Sequence, residues 1–371
     1  MTLLTEAEQR LKKRGYRTRR HDDHVAAERG YFRETGNLMF HAALLCLVVT
    51  MAIGSLFEYS GQRVLVEGDT FTNSLVAYDS FEPGTFFDAD RMEDFRLRLD
   101  SFEATFDGQV AGNQFGQPRR FEAEVTELSD GQETNHLLEV NKPIRVGGTG
   151  VYLLGNGYAP VITVRDATGT VVHSGPVVFL PEDGVYTSRG VLKVPGATPD
   201  QLGFAGVLLP TMGQNEDGEL VSVFAALGNP YLVMSAYQGD LGLDDGVPQS
   251  VYELDADKMT QLTNASGDPV VIQLSPGQTQ QLPDGLGSVT FDGVKQFIGV
   301  DIRNDPTQGW MLVFSVVLLI GLSLSLFVPR RRLWVRSTGS TAEVATLARG
   351  EDPRVGLAAA ELATDLNTPR T

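Results

Sequence analysis

Two stretches interrupt the mixed texture of polar and apolar positions along this chain. Residues 38–57 (LMFHAALLCLVVTMAIGSLF) and 309–328 (GWMLVFSVVLLIGLSLSLFV) each run twenty residues without a formal charge. At about 1.5 Å per residue, such a run makes a helix of roughly 30 Å, the thickness of a bilayer's hydrocarbon core. Core helices of soluble domains are usually shorter and amphipathic, so both runs are expected to be transmembrane helices. Between them the period changes to two. Residues 95–99 (FRLRL) and 121–125 (FEAEV) alternate apolar and charged positions, as strands with one wet face do. Residues 161–164, 177–180 and 270–274 are short β-branched runs suited to buried strands. Asp-Gly pairs at 107–108, 130–131, 183–184, 217–218, 284–285 and 292–293 are the usual signal for hairpin turns. The pattern predicts a mostly-β central domain over 58–308, sandwich-like and antiparallel, between two transmembrane α-helices. A division into two subdomains is expected near 166–184.

Charge sharpens this picture. The chain's formal net charge of −17 hides a partition. Residues 1–37 carry nine Lys/Arg against six Asp/Glu, and residues 329–371 carry seven against five. The centre, 58–308, carries fourteen against thirty-six. Arg330, Arg331 and Arg332 follow the second run directly, and Arg29 and Arg33 precede the first. Basic flanks stay on the cytoplasmic side and aromatic residues such as Trp310 and Trp334 favour the interface. Both runs therefore predict one orientation in the cell membrane, multi-pass and in contact with membrane lipid, with cytoplasmic ends (1–37 and 329–371) and an extracytoplasmic centre (58–308). The first segment is expected to hold a helix near 6–14 followed by a solvated loop. The last is expected to be a flexible tail with at most one short helix at its Ala-rich patch, 356–363. Arg14, Arg17, Arg19 and Arg20 are read as an inside-facing membrane flank and not as a nucleic-acid site, since Asp22, Asp23 and Glu28 follow closely.

Catalytic chemistry finds little support. The single cysteine, Cys46, lies within the first run, so this chain alone carries no dithiol pair. The glycines at 147–150 and 155–157 lack the strand, turn and helix context of a phosphate-binding loop and read as turns or bulges. His136 and His173 stand apart, His21 and His24 flank two aspartates in an expected loop, and no serine sits in GxSxG. No catalytic residue is assigned. One residue remains conspicuous. His41 is the only ionisable side chain besides Cys46 in the first apolar run, and intramembrane ionisable groups default to a functional hypothesis. Two readings stay open at this point: a hydrogen bond to headgroups, water or a neighbouring helix, or contact with a bound ligand.

Several stretches in order resemble the ResB (CcsB) family of cytochrome c biogenesis proteins. They are GYR at 15–17, AAERG at 26–30 and GNLMFH at 36–41; FRLRLDSF at 95–102 and FEAEV at 121–125; VNKP at 140–143, GVY at 150–152 and GYAP at 157–160; and VTF at 289–291, DP at 305–306 and RRLW at 331–334. The resemblance covers roughly residues 11–336. It implies one half of a two-component haem delivery and cytochrome c synthetase complex, System II, which joins haem to exported apocytochrome c with a multispanning ResC (CcsA) partner. In that picture His41 matches a membrane histidine that is an axial ligand of haem iron, and other haem-handling residues belong to the partner. Members of the family usually carry two further transmembrane helices ahead of the basic segment. The alternative reading is a membrane-anchored exported binding or sensor module.

Overall fold

The computed structural model describes residues 3–108, 116–129, 131–243, 250, 252–339, 341–348 and 353–367. The chain divides into two units, one built from Met1–Leu56 with Pro306–Thr371 and the other from Phe57–Asp305.

The central unit is mostly β, and its spine is a ribbon of two 17-residue strands. Thr149–Arg165 and Ser288–Asn304 pair antiparallel along their whole length. Toward one end of the ribbon, Ile162, Val164, Val289 and Phe291 join Leu192, Phe204 and Met234 from Ser188–Val194, Leu202–Leu209 and Tyr231–Gly239 in one buried cluster. Toward the other end, Val151, Ile298, Val300 and Ile302 join Leu97, Leu99 and Val125 from Arg96–Phe106 and Pro118–Ser129 in a second cluster. The alternating FRLRL stretch behaves as its period predicts: Leu97 and Leu99 are buried while Arg96 is exposed.

The boundary between these cores crosses the ribbon between Val151 and Tyr158, where the register shifts opposite Gly155. Within the expected division at 166–184, residues 166–169 form the turn that joins two paired strands, Thr149–Arg165 and Val171–Pro176, and the chain passes from the ribbon's sheet to the six-stranded sheet between Pro176 and Leu180. The Asp-Gly signals also divide, and Asp130 of the pair at 130–131 lies outside the described residues. Asp217-Gly218 and Asp284-Gly285 make turns, with Gly218, Asp284 and Gly285 at positive φ. Asp292-Gly293 instead lies inside Ser288–Asn304 at its second register shift, a bulge that bends the ribbon. The run at 177–180 contributes only Leu180 to a strand, Leu180–Pro181.

Asp166 holds the turn after the first ribbon strand. Its Oδ1 accepts from the Thr168 hydroxyl at 2.7 Å and from the amides of Thr168 and Thr170 at 2.9 and 3.1 Å. The Thr168 hydroxyl foremost, working against burial and helped by these amides, holds the carboxyl below the ordinary aspartate range. A lowered folded-state pKa adds stability that is complete above the unfolded value and is lost as pH falls through the folded one. Below about pH 4, the melting temperature of the wild-type chain is therefore expected to fall more steeply than that of Asp166→Asn. Parallel declines would remove Asp166 from the account of acid sensitivity.

The terminal unit brings the two ends of the chain into one sheet. Arg17–Arg20, His24–Arg29, Arg331–Thr338 and Thr341–Ala348 pair in that order, all antiparallel. Helices α1 (Leu3–Lys13) and α4 (Pro353–Asn367) supply Leu4, Ala7, Leu11 and Leu362 to a buried cluster with Val25, Ala27, Leu333 and Val335 of the sheet. The expected flexible tail is thus strand and helix, while the expected solvated loop is the exposed connection at 21–23 between the first two strands. Their strand character comes from pairing across the chain, since Arg17–Arg20 has no apolar residue to reveal a buried face.

Two long helices grow out of this sheet, α2 (Phe32–Phe57) and α3 (Gln308–Phe327). Helix α2 starts six residues before the apolar run, with Glu34 in its first turn, where a carboxylate suits the helix dipole. Both are long and apolar enough to cross a membrane, and only 17% and 6% of their most apolar windows are buried. A core helix of a soluble domain would be mostly covered. The two helices approach closely at paired glycines. A Cβ on Gly36 would lie 2.7 Å from the Gly321 carbonyl oxygen, and one on Gly321 would lie 2.6 Å from the Phe40 amide nitrogen. Only glycine permits backbones this near.

Candidate functional site

Helix α2 has two unlike faces. Its buried residues, Gly36, Ala43, Thr50 and Gly54, follow spacings of seven, seven and four and so form one stripe of small side chains. His41 is five residues from Gly36, about 140° around the helix at 100° per residue, on the opposite arc. It is exposed there among exposed Leu38, Leu45 and Val48. Counted from the start of α2 it lies about 14 Å along the axis, in the third turn.

The ring is fixed in orientation. His41 Nδ1 lies 2.8 Å from the Asn37 carbonyl oxygen, one helical turn earlier. A carbonyl oxygen can only accept, so Nδ1 carries the proton and donates it. The neutral tautomer this selects leaves the lone pair on Nε2, which has no partner among the described residues. The Phe40 ring meets the imidazole edge-on, with centroids 5.1 Å apart. A histidine whose Nδ1–H is tied to a carbonyl and whose Nε2 is left unpartnered has the form of a metal ligand with its second ring nitrogen already supported.

At the sheet end of the helix pair the charges are closely matched. Glu28 accepts from Arg330 and, at 3.1 Å, from Arg332, while Arg330 also bonds Glu34 in the first turn of α2. Burial works to raise the Glu28 carboxyl, but these guanidinium bonds outweigh it and hold it below the usual range. Arg330 therefore ties α2 to the segment after α3 and is more than an orientation signal.

The other histidines have surroundings of their own. His24 Nδ1 contacts Asp23 at 2.7 Å and its ring stacks on His21, with centroids 4.4 Å apart. His136 pairs with Glu127 at 2.8 Å across neighbouring strands. His173 is half-buried, and burial lowers its pKa. No group of three or more His, Cys, Asp or Glu suited to a metal ion occurs among the described residues. Two features escaped the sequence: the carbonyl that orients His41, which needs only the i−4 rule and the helix's earlier start, and the sheet that gathers Arg17, Arg19, Arg332 and Trp334 from distant segments.

The sequence model of the ResB-like family matches residues 1–359. Curated relatives named cytochrome c biogenesis protein CcsB include one from Prochlorococcus marinus (strain MIT 9301), 21% identical over 336 residues, covering 90% of this chain and 61% of the relative. One from Synechococcus sp. (strain RCC307) is 25% identical, covering 93% of this chain and 63% of the relative. One from Synechococcus sp. (strain WH7803) is 30% identical over 215 residues, covering 57% and 45%. The chain thus spans about three fifths of the length of the first two relatives, and the 30% match covers less than half of its relative.

Proposed function

Since the chain belongs to the ResB-like family, we propose that it is a membrane subunit of a System II complex that delivers haem to exported apocytochrome c. In this reading α2 and α3 cross the cell membrane with both chain ends in the cytoplasm and the central unit outside. A multispanning partner of the ResC (CcsA) type supplies the remaining haem ligands. Haem is the cargo, and its vinyl groups are where the thiols of the apocytochrome attach. The chain's own part is to hold and position that cargo.

The observation that carries the proposal is the His41 tautomer. An Nε2 lone pair on the lipid-facing arc of α2, with Nδ1–H engaged by Asn37, is the arrangement an imidazole needs in order to bind iron at membrane depth. The reading in which His41 merely satisfies itself accounts for Nδ1 but leaves Nε2 unpartnered in an apolar setting, which costs free energy. The acidic central unit then serves as a scaffold that presents haem or docks the apocytochrome.

His41→Ala in the chain co-expressed with its multispanning partner is expected to reduce co-purified haem and holocytochrome c by at least an order of magnitude, the usual scale for losing a metal ligand's support. Added imidazole should restore part of both, a rescue that a folding defect would not give. Full haem content and full cytochrome maturation in the variant would overturn the assignment.

A further inference from the structure

The terminal sheet has one face covered by α1 and α4 and one face open. Val25, Ala27, Leu333 and Val335 point into the buried cluster, so the alternate residues of the same strands lie on the other face. Register places them in rows. Arg17 stands opposite Glu28, which stands opposite Arg332. One step along, Arg19 stands opposite Ala26, which stands opposite Trp334. A cavity of 560 Å³ lies over this face, lined by Arg17, Arg19, Ala26, Tyr31, Arg332 and Trp334, with Glu28 and His21 also on its wall. That volume falls in the range of small-molecule sites, roughly 300–1,000 Å³.

The lining reads as a site for a flat anion. Ala26 leaves the floor low between Arg19 and Trp334, whose strands lie about 9.6 Å apart at two strand spacings. A planar ring in contact on both sides at about 3.5–4 Å takes up about 7–8 Å of that gap. Trp334 offers an aromatic face and Arg19 a guanidinium plane. Arg17 lies over the Tyr31 ring at 5.7 Å. Three arginines against one glutamate leave two positive charges in the lining, and Glu28 is already neutralised by Arg330 and Arg332. Neither Arg17 nor Arg19 has a carboxylate partner among the described residues. Arginine forks match carboxylates in bidentate geometry.

Resting on the haem reading above, we propose that this open sheet face receives haem before it reaches α2, through its two propionates on Arg17, Arg19 and Arg332 and its ring against Trp334. Tyr31 at the cavity wall immediately precedes α2, so the face sits at the foot of the helix that carries His41.

The chain has two tryptophans, which gives a clean test. The full chain carrying His41→Ala and Trp310→Phe, in phosphatidylcholine nanodiscs, keeps Trp334 as its only indole and lacks the helix ligand. Titration with ferric haem is expected to give saturable binding of one equivalent, seen in the Soret band and in Trp334 quenching. Adding Arg17→Ala and Arg19→Ala should weaken it at least tenfold, and mesoporphyrin dimethyl ester, which has no free carboxylates, should fail to compete. Circular dichroism of the arginine variants checks that the sheet persists. Equal competition by the ester, unchanged binding in the folded double variant, or a Trp334 response to phosphatidylglycerol discs that displaces haem would each overturn the proposal, the last in favour of a lipid headgroup. Because His41 is absent from this experiment, its failure leaves the His41 assignment standing. Loss of that assignment is read separately from haem content in the co-expressed complex.

Discussion

Gly30→Ala is expected to pull the terminal sheet away from the foot of the helix pair. Gly30 has φ of +98°, a conformation that L residues rarely adopt, and an added Cβ would lie 2.2 Å from the Pro329 carbonyl oxygen and 2.9 Å from the Arg330 Cα. Both neighbours are backbone, so relief requires moving the segment after α3. That movement loosens the bonds from Arg330 to Glu28 and Glu34 and the close approach of Gly36 to Gly321. Strained backbone of this kind costs about 1–3 kcal/mol before the clash is counted, so a total of about 3 kcal/mol or more is expected. Thermal unfolding of the detergent-solubilised chain in a Trp310→Phe background, followed through Trp334 emission, measures it. Gly339→Ala is the comparison, since Gly339 also has positive φ but nothing within 4 Å of an added Cβ. It should cost only the left-handed term of about 1–2 kcal/mol. Equal losses at the two sites would show that the Pro329 contact contributes nothing.

Phe204→Ala should destabilise the central unit by about 3–5 kcal/mol, the usual cost of emptying a fully buried aromatic site. Phe204 and Phe291 belong to one core and Phe95 to the other. The two ribbon strands contribute to both cores, so local loss in one frays the spine of the other. Urea unfolding of Phe204→Ala is therefore expected to remain one transition at a lower midpoint, and Phe95→Ala should shift the same transition. Two separable transitions, with each variant moving only one, would show that the cores fold independently.

The elements legible in the sequence are those whose residues carry their own period. The two apolar runs became α2 and α3 because length and the absence of charge are local properties. The FRLRL and FEAEV stretches became strands because a half-wet strand shows its two faces in its own residues. What stayed hidden depends on distant partners. Arg17–Arg20 is entirely polar and is a strand only because His24–Arg29 and, beyond it, Arg331–Thr338 complete the sheet. Asp292-Gly293 has the chemistry of a turn, yet the continuous pairing of the ribbon makes it a bulge. His41 was visible as a residue out of place. Its usable Nε2 became visible only once the earlier start of α2 put Asn37 one turn before it within the helix.

The sheet that joins the two ends also sets an order of events during synthesis. Glu28 and its partner Arg330 are 302 residues apart. The strands Arg17–Arg20 and His24–Arg29 leave the ribosome first, but one edge of His24–Arg29 stays unpaired until the segment after α3 arrives. An isolated two-stranded hairpin is marginally stable in water. The terminal unit therefore cannot close until the central unit and the second apolar helix have been made. Closure of this sheet is a signature that synthesis has passed the second apolar helix, and the cavity built on it exists only from that point.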